Sequence, residues 1–360
     1  MNKIIKYLIL LILFFSVITY ARSGITKERS FNIFGYPYLF YTPETELALG
    51  IGGIATFYLG KDKILRPSKI TLSGYYTTNK QYSFVLKPEF YFLKNSYFLS
   101  VPVNYEYSVD KYYGIGDETP EISNPDFSAN IFSVSVNFQL PSLLNFNYKS
   151  GFLFDYKNYT ILDRKTNPYL TDSLNVKGGN TVGVGFTWVW DTRDNIFFPL
   201  NGGYNQIKTE FYSETIGSEY DFNIYTVDLR GYFPVIKQNI IGLQIYGRFA
   251  RGDPPFYELS SLGGQYMMRG YYEGRYRDKN FIMAQIEYRA YIFWKIGVVG
   301  FFGMGDVSDQ LIDLHLSHAK YSYGFGIRYQ FNKEEKVNLR ADFGFGKKTS
   351  GVYFGIEEVF

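Results

Sequence analysis

The sequence contains no cysteine. That excludes disulfides, thiolate metal sites and a lipid-modified N-terminal cysteine. Histidine is nearly missing too, with two residues in 360. His315 and His318 share one stretch with Asp309 and Asp313, and this spacing reads as a solvated loop rather than a metal site. No Gly-x-Ser-x-Gly elbow or phosphate loop is present. No metal, cofactor or enzymatic activity is expected. Charge of either sign is not in excess: 37 Lys and Arg stand against 34 Asp and Glu. Nothing here suggests a nucleic-acid partner. Beyond the N-terminus no apolar run approaches the ~18 residues a spanning helix needs.

Aromatic residues are abundant instead, with 36 Tyr and 34 Phe. Mean hydropathy is only −0.16. Together these suit a wall that is apolar on one side and wet on the other. The start of the chain has the form of a signal peptide over residues 1–21. Lys3 and Lys6 precede the apolar stretch from Tyr7 to Ile18, and Thr19-Tyr20-Ala21 resembles a cleavage site. Its removal takes two lysines, so the net charge of +3 falls to +1. Residues 22–31 then form a short periplasmic segment, and 32–360 the folded domain.

Alternation dominates from about Asn32 onward. Val182, Val184, Phe186, Trp188 and Trp190 alternate with Thr181, Gly183, Gly185 and Thr187. Ile131 to Leu140 and Tyr321 to Phe331 repeat the pattern. Period two over such lengths marks strands with two unlike faces. About sixteen segments are read: 33–41, 45–58, 67–77, 81–93, 96–108, 129–141, 146–160, 179–190, 203–214, 219–232, 238–249, 279–292, 294–305, 320–332, 335–347 and 350–360. Many reach the nine to eleven residues that a tilted strand needs to cross a bilayer. The four longest gaps follow the fifth, seventh, eleventh and thirteenth segments. All four lie on one side, as the long external loops of an outer-membrane barrel do. The expected fold is an all-β, closed antiparallel transmembrane barrel of about sixteen strands, because lipid does not tolerate an open sheet edge. Alternation turns Asp228, Arg230, Gln244, Arg248, Gln285, Glu287, Arg289, Arg340 and Asp342 toward the lumen.

The longest external loop contains Leu262 to Arg277, reading LGGQYMMRGYYEGRYR. A loop folded back into the lumen could set Arg269 against Glu287 in a charge-assisted pair. Exchanging these two charges is then expected to restore part of what either single change removes.

On these residues the sequence resembles the BamA/TamA-like surface-antigen barrels of outer-membrane assembly and translocation. Arg269-Gly270-Tyr271 matches that family's loop motif, with Gly274, Arg275, Arg277 and Asp278 following. Asp191-Thr192-Arg193-Asp194, then Pro199 and Gly202, look like its turn after the eighth strand. Gly355 and Phe360 look like its C-terminal assembly signal. The resemblance implies sixteen strands, a loop tucked inside the barrel, and a loop arginine meeting acids on neighbouring strands. There are three departures. Ten residues cannot hold a periplasmic POTRA module. Phe301-Phe302-Gly303-Met304-Gly305 lacks an acid usual there, and Asp306 comes too late to replace it. Glu358 interrupts the terminal alternation. The implied function is outer-membrane biogenesis, protein assembly or insertion, or translocation. The alternative is a passive pore or structural outer-membrane protein on the same fold. Implied partners are outer-membrane lipids, the barrel-assembly machinery during insertion, and client outer-membrane or secreted proteins.

Overall fold

The structure is a computed structural model. It describes residues 31–360 except 43, 62–64, 121–125, 142–147, 164–166, 168, 171–177, 237–238 and 333–335. The expected signal peptide and residues 22–30 lie outside the described residues.

Among the described residues nineteen strands run in chain order. β1 (Asn32–Thr42), β2 (Glu46–Phe57), β3 (Ser68–Thr77) and β4 (Tyr82–Phe92) begin the wall. β5 (Tyr97–Ser100) and β6 (Val103–Lys111) are two halves of one crossing, since both pair with β4. The break falls at Val101-Pro102, opposite Pro88 of β4. Proline has no N–H to give a ladder, and the interruption sits where Pro88, opposite Val101, and Pro102, opposite Lys87, are diagonal neighbours. Val101 N–H still donates to the Pro88 carbonyl at 3.1 Å, and the Pro102 carbonyl accepts from Ser135 at 3.0 Å.

The wall continues through β7 (Asp126–Pro141), β8 (Tyr148–Asp163), β9 (Gly178–Asp191), β10 (Gly202–Tyr212), β11 (Phe222–Ile236) and β12 (Asn239–Gly252). β13 (Ser260–Leu262) and β14 (Tyr276–Asp278) form a small hairpin inside the longest loop. β15 (Asn280–Phe293), β16 (Ile296–Ser308), β17 (Lys320–Asn332), β18 (Val337–Gly346) and β19 (Thr349–Ile356) complete it. Setting the hairpin aside and joining β5 to β6 turns nineteen strands into sixteen crossings. Each crossing pairs antiparallel with the next from β1–β2 to β18–β19. β1 and β19 lie side by side, but no ladder joins them among the described residues. The long connections 112–125, 164–177, 253–279 and 309–319 all emerge at one end, here called external.

Alternation decides the two faces. On β9, Thr181, Thr187 and Val189 are buried inward while Val184, Phe186 and Trp188 are exposed outward. A charge on that outward face would cost ~2–4 kcal/mol near mid-membrane, and mid-wall charges such as Asp228, Glu287, Arg289 and Asp342 point in. Apolar packing inside the barrel is concentrated at the external end, with a smaller cluster of Tyr232, Val359 and Phe360 at the other. Tyr112, Phe127, Tyr159, Phe256 and Leu259 form one cluster. Leu262, Met268, Tyr271, Phe281 and Met283 form another. Both join the loop 253–279 to the wall.

The sixteenth strand differs from its expected course. It ends at Ile356, not at Phe360. Glu357 has φ +70°, a left-handed conformation that a strand cannot continue. The chain turns inward there, and Glu358, Val359 and Phe360 are buried.

Candidate functional site: a loop locked to the inner wall

Arg269 reaches the wall because the chain before and after it has left-handed backbone, with Met268 at φ +61° and Gly270 at φ +109°. At Gly270 the loop touches β18. A Cβ there would sit 2.6 Å from the Phe345 carbonyl carbon and 2.7 Å from its nitrogen. Only glycine permits both the φ and the approach. The Gly270 N–H donates to the Tyr353 hydroxyl at 2.9 Å. The Tyr271 hydroxyl donates to the Tyr321 carbonyl at 3.1 Å and accepts from the Lys347 N–H at 2.9 Å. The Ser322 hydroxyl donates to the Arg269 carbonyl.

The Arg269 side chain is 1% exposed. One guanidinium nitrogen donates to Glu287 of β15. Another donates to Asp342 of β18 at 2.7 Å. The plane lies 3.6 Å from the centre of the Phe301 ring, a cation–π contact shielded from water. The two acids are shared. Arg289 donates to Glu287 at 2.8 Å, and Asp342 accepts from Arg328 at 2.5 Å and from Arg340 at 3.0 Å. Glu358 of the tail accepts from Arg328 and Asn338, both at 2.8 Å. Arg289 also donates to the Phe360 main-chain oxygen at 2.8 Å. Gly355 has no Cβ to block Arg340, whose Nε would lie 2.8 Å from it. The result is a buried ionic layer across β15, β17, β18 and the tail, with the loop arginine in its middle. Each carboxylate contacts at least two guanidinium groups, which offsets the desolvation of burying them.

The structure thus places Arg269, Gly270, Tyr271 and Glu287 together. Sequence reasoning did not single out Asp342 as a second partner, nor Tyr353, Phe301 or Arg328. Arg340 and Asp342 were legible only as inward-facing. Glu358, read as an interruption of the terminal pattern, is part of the ionic layer.

The second half of the motif lies elsewhere. Arg275 donates to the Thr119 hydroxyl and carbonyl at 2.5 and 2.9 Å, and stacks on Tyr113 and Tyr276. Gly274 meets Arg277, which reaches the Lys111 carbonyl and lies over Tyr112. The Arg277 carbonyl accepts from the Gly116 N–H at 2.8 Å. These residues fasten the loop to the external end of β6 and the segment 112–119 rather than to the ionic layer. Asp278 caps the Lys279 N–H at 2.8 Å, and burial raises its carboxyl to about 6. Glu273 is itself exposed, but desolvation by the surrounding protein and then the charges of Glu44 and the acids near it push it up to about 8. Its N–H donates to the Glu44 carboxylate at 2.8 Å.

At the other end of the barrel, Arg193 forms a bidentate pair with Asp191, both bonds 2.9 Å. Asp194 accepts from Leu200 and Asn201 across the turn that holds Pro199. Gly202 allows the close return to Thr192. His315 and His318 sit in the exposed loop 309–319, where the His318 ring is 3.5 Å from Asp117.

The comparisons with known proteins agree with this architecture. BamA from Haemophilus ducreyi lacking POTRA domains 1–3 superposes with a TM-score of 0.63 at 13% identity, covering 92% of this chain and 70% of that one. CdiB from Acinetobacter baumannii gives 0.59 at 13%, covering 90% and 59%. CdiB from Escherichia coli gives 0.62 at 11%, covering 93% and 63%. The chain therefore spans less than two thirds of both CdiB structures. No curated protein matches. The Omp85 superfamily domain matches residues 66–360, which includes the loop, the ionic layer and the tail. The fold is that of a bacterial outer-membrane barrel, and the chain belongs to the Omp85 superfamily.

Proposed function

We propose that this protein assembles or translocates polypeptides at the outer membrane, using the unlaced seam between β1 and β19 as its working edge. The seam is the observation that carries the reading. Among the described residues every other neighbouring pair of crossings is joined by a ladder, and this pair is only adjacent. In hydrocarbon an unpaired strand edge is costly. An incoming strand relieves that cost by pairing with it, which is recognition by β-augmentation. The buried ionic layer holds the loop against β15–β19, the part of the wall that ends at the seam. Partners on this reading are client outer-membrane or secreted chains, the surrounding lipids, and the barrel-assembly machinery that inserts the protein itself. No enzymatic step is proposed.

One observation favours a second reading, a passive pore. Beside the loop the lumen keeps a cavity of about 280 Å³, lined by charged residues of both signs that include Asp155, Lys157, Lys208 and Arg248. Planar-bilayer conductance and deletion proteomics separate the two. Assembly or translocation predicts small flickering openings and selective loss of client proteins from the outer membrane on deletion. Large steady solute-permeable openings with an unchanged outer-membrane proteome would overturn it in favour of the pore.

A further inference from the structure

The outward face of β16 changes character at its external end. Asp306 pairs with Ile282 across the ladder to β15, and residues directly opposite share a face. Ile282 is exposed on the lipid side, so Asp306 points outward as well, yet Asp306 is only 4% exposed. The loop 309–319 covers it. The His315 N–H donates to the Asp306 carboxylate at 3.2 Å. Asn280, in the same outward row of β15, donates to the Ser308 and Asp309 carbonyls at 3.1 and 2.7 Å. This loop is therefore folded back over the outside of the wall, unlike the lumen-filling loop 253–279.

Three of its side chains are apolar and left uncovered. Leu311 is 49% exposed, Ile312 76% and Leu316 75%. Below them the outward row is already the lipid belt. Phe302 stands opposite Tyr323, and Met304 opposite Tyr321, with Phe302, Tyr321 and Tyr323 all exposed. Asp306 is the next outward position, about 7 Å further along the strand. Apolar faces of interfacial segments sit within ~5–10 Å of that boundary. The polar groups of the loop turn to protein instead: Asp309 is 3.6 Å from Lys279, and His318 faces Asp117 of the lumen-capping segment.

We propose that loop 309–319 is an interfacial anchor, with Leu311, Ile312 and Leu316 inserted into the outer leaflet of the membrane. The occupant is lipid because the apolar tip continues the lipid-facing row of β16 and β17. The anchor also ties the membrane surface to the lumen cap through His318 and Asp117.

The lack of cysteine makes the test direct. Ile312→Cys and Leu316→Cys, each labelled with an environment-sensitive fluorophore, are reconstituted into phosphatidylcholine vesicles with and without brominated acyl chains. Glu118→Cys, exposed on the lumen-capping segment, is the reference. Folding is checked by heat-modified gel mobility. The proposal expects labels at 312 and 316 to be quenched by brominated chains several-fold more than at 118, and to be shielded from aqueous iodide. Iodide access equal to the reference overturns it. Shielding from iodide without quenching by brominated chains also overturns it, and indicates a protein partner instead. A label-free arm uses Ile312→Asp with Leu316→Asp. In the same vesicles proteinase K should cut this loop faster than the native one, and an unchanged cutting rate counts against the anchor.

Discussion

Arg269 is enclosed on every side by groups that belong to other elements, and that sets the cost of losing it. Removing one partner from a buried ionic pair typically costs ~3–5 kcal/mol, because the remaining charge stays desolvated. Arg269→Ala should free the loop from β15 and β18, raise single-channel conductance and open the loop to external protease. Arg269→Lys should rescue poorly. An ammonium cannot span Glu287 and Asp342 with separate nitrogens of one planar fork. The exchange Arg269→Glu with Glu287→Arg looks restorative on sequence grounds, but the ionic layer argues against it. It sets a carboxylate against Asp342 and a guanidinium against Arg289, both within the layer. Conductance of the double variant should match Arg269→Ala rather than the native protein. A second residue-scale change needs no charge at all. Gly270→Ala places a methyl within 2.6–2.7 Å of the Phe345 backbone, and protease sensitivity of the loop should rise even with Arg269 intact. Native resistance in Gly270→Ala would mean the loop and β18 do not touch as described.

Elements were legible in the sequence where one rule governs them. Alternation specifies a strand between lipid and water, so the sixteen crossings and the four long external loops follow from period two and gap length. The break between β5 and β6 was not read, because alternation carries on across Val101-Pro102 while the ladder does not. The inward turn after Ile356 was also missed. It depends on a positive φ at Glu357, and glutamate gives no signal for that. Asp342 escaped as a partner because 73 residues separate it from Arg269, and many inward positions carry acids. The tail makes a prediction at this scale. Glu358 joins it to β17 and β18 through Arg328 and Asn338. Glu358→Ala should lower barrel stability by ~1–3 kcal/mol, the usual cost of unpairing buried polar groups. Glu358→Gln should recover part of this, read as the temperature of the heat-modified gel shift.

The long loop carries a pH dependence of definite sign. The Glu273 side chain is solvent-exposed, yet desolvation by the surrounding protein and the acids Glu44, Asp110 and Glu106 hold its carboxyl above its ordinary value of 4.5, at about 8, with Arg277 opposing. A raised carboxyl means the folded state holds its proton longer than the unfolded one. Stability is then full at low pH and is lost as pH rises from about 4.5 toward about 8. Asp278, at about 6, acts in the same direction. The loop should resist protease better at pH 5 than at pH 8.5. Glu273→Gln should flatten this difference, and an unaltered difference would assign the effect to other groups.

At the scale of the whole molecule the wall is uneven. The far side is built from the longest crossings, β7 and β8, with 16 residues each. The side near the seam has β18 with 10 and β19 with 8. Strand length and ladder continuity both fall toward the same place. Among the described residues β1 and β19 each have a ladder on one edge only, whereas strands such as β15 and β16 are laddered on both. Local opening free energy follows the number of backbone bonds that must break together. Seam-facing amides of β1 and β19 should therefore exchange hydrogen roughly tenfold or more faster than those of β15 and β16 in detergent micelles. The ionic layer modifies this gradient. It ties β18 and the tail of β19 to β15 through Arg269, Arg289 and Arg328. Arg269→Ala should accordingly speed exchange in β18 and β19 while leaving β7 and β8 unchanged. Equal protection around all sixteen crossings, in both native and variant protein, would mean that the seam is laced in solution and is not a working edge.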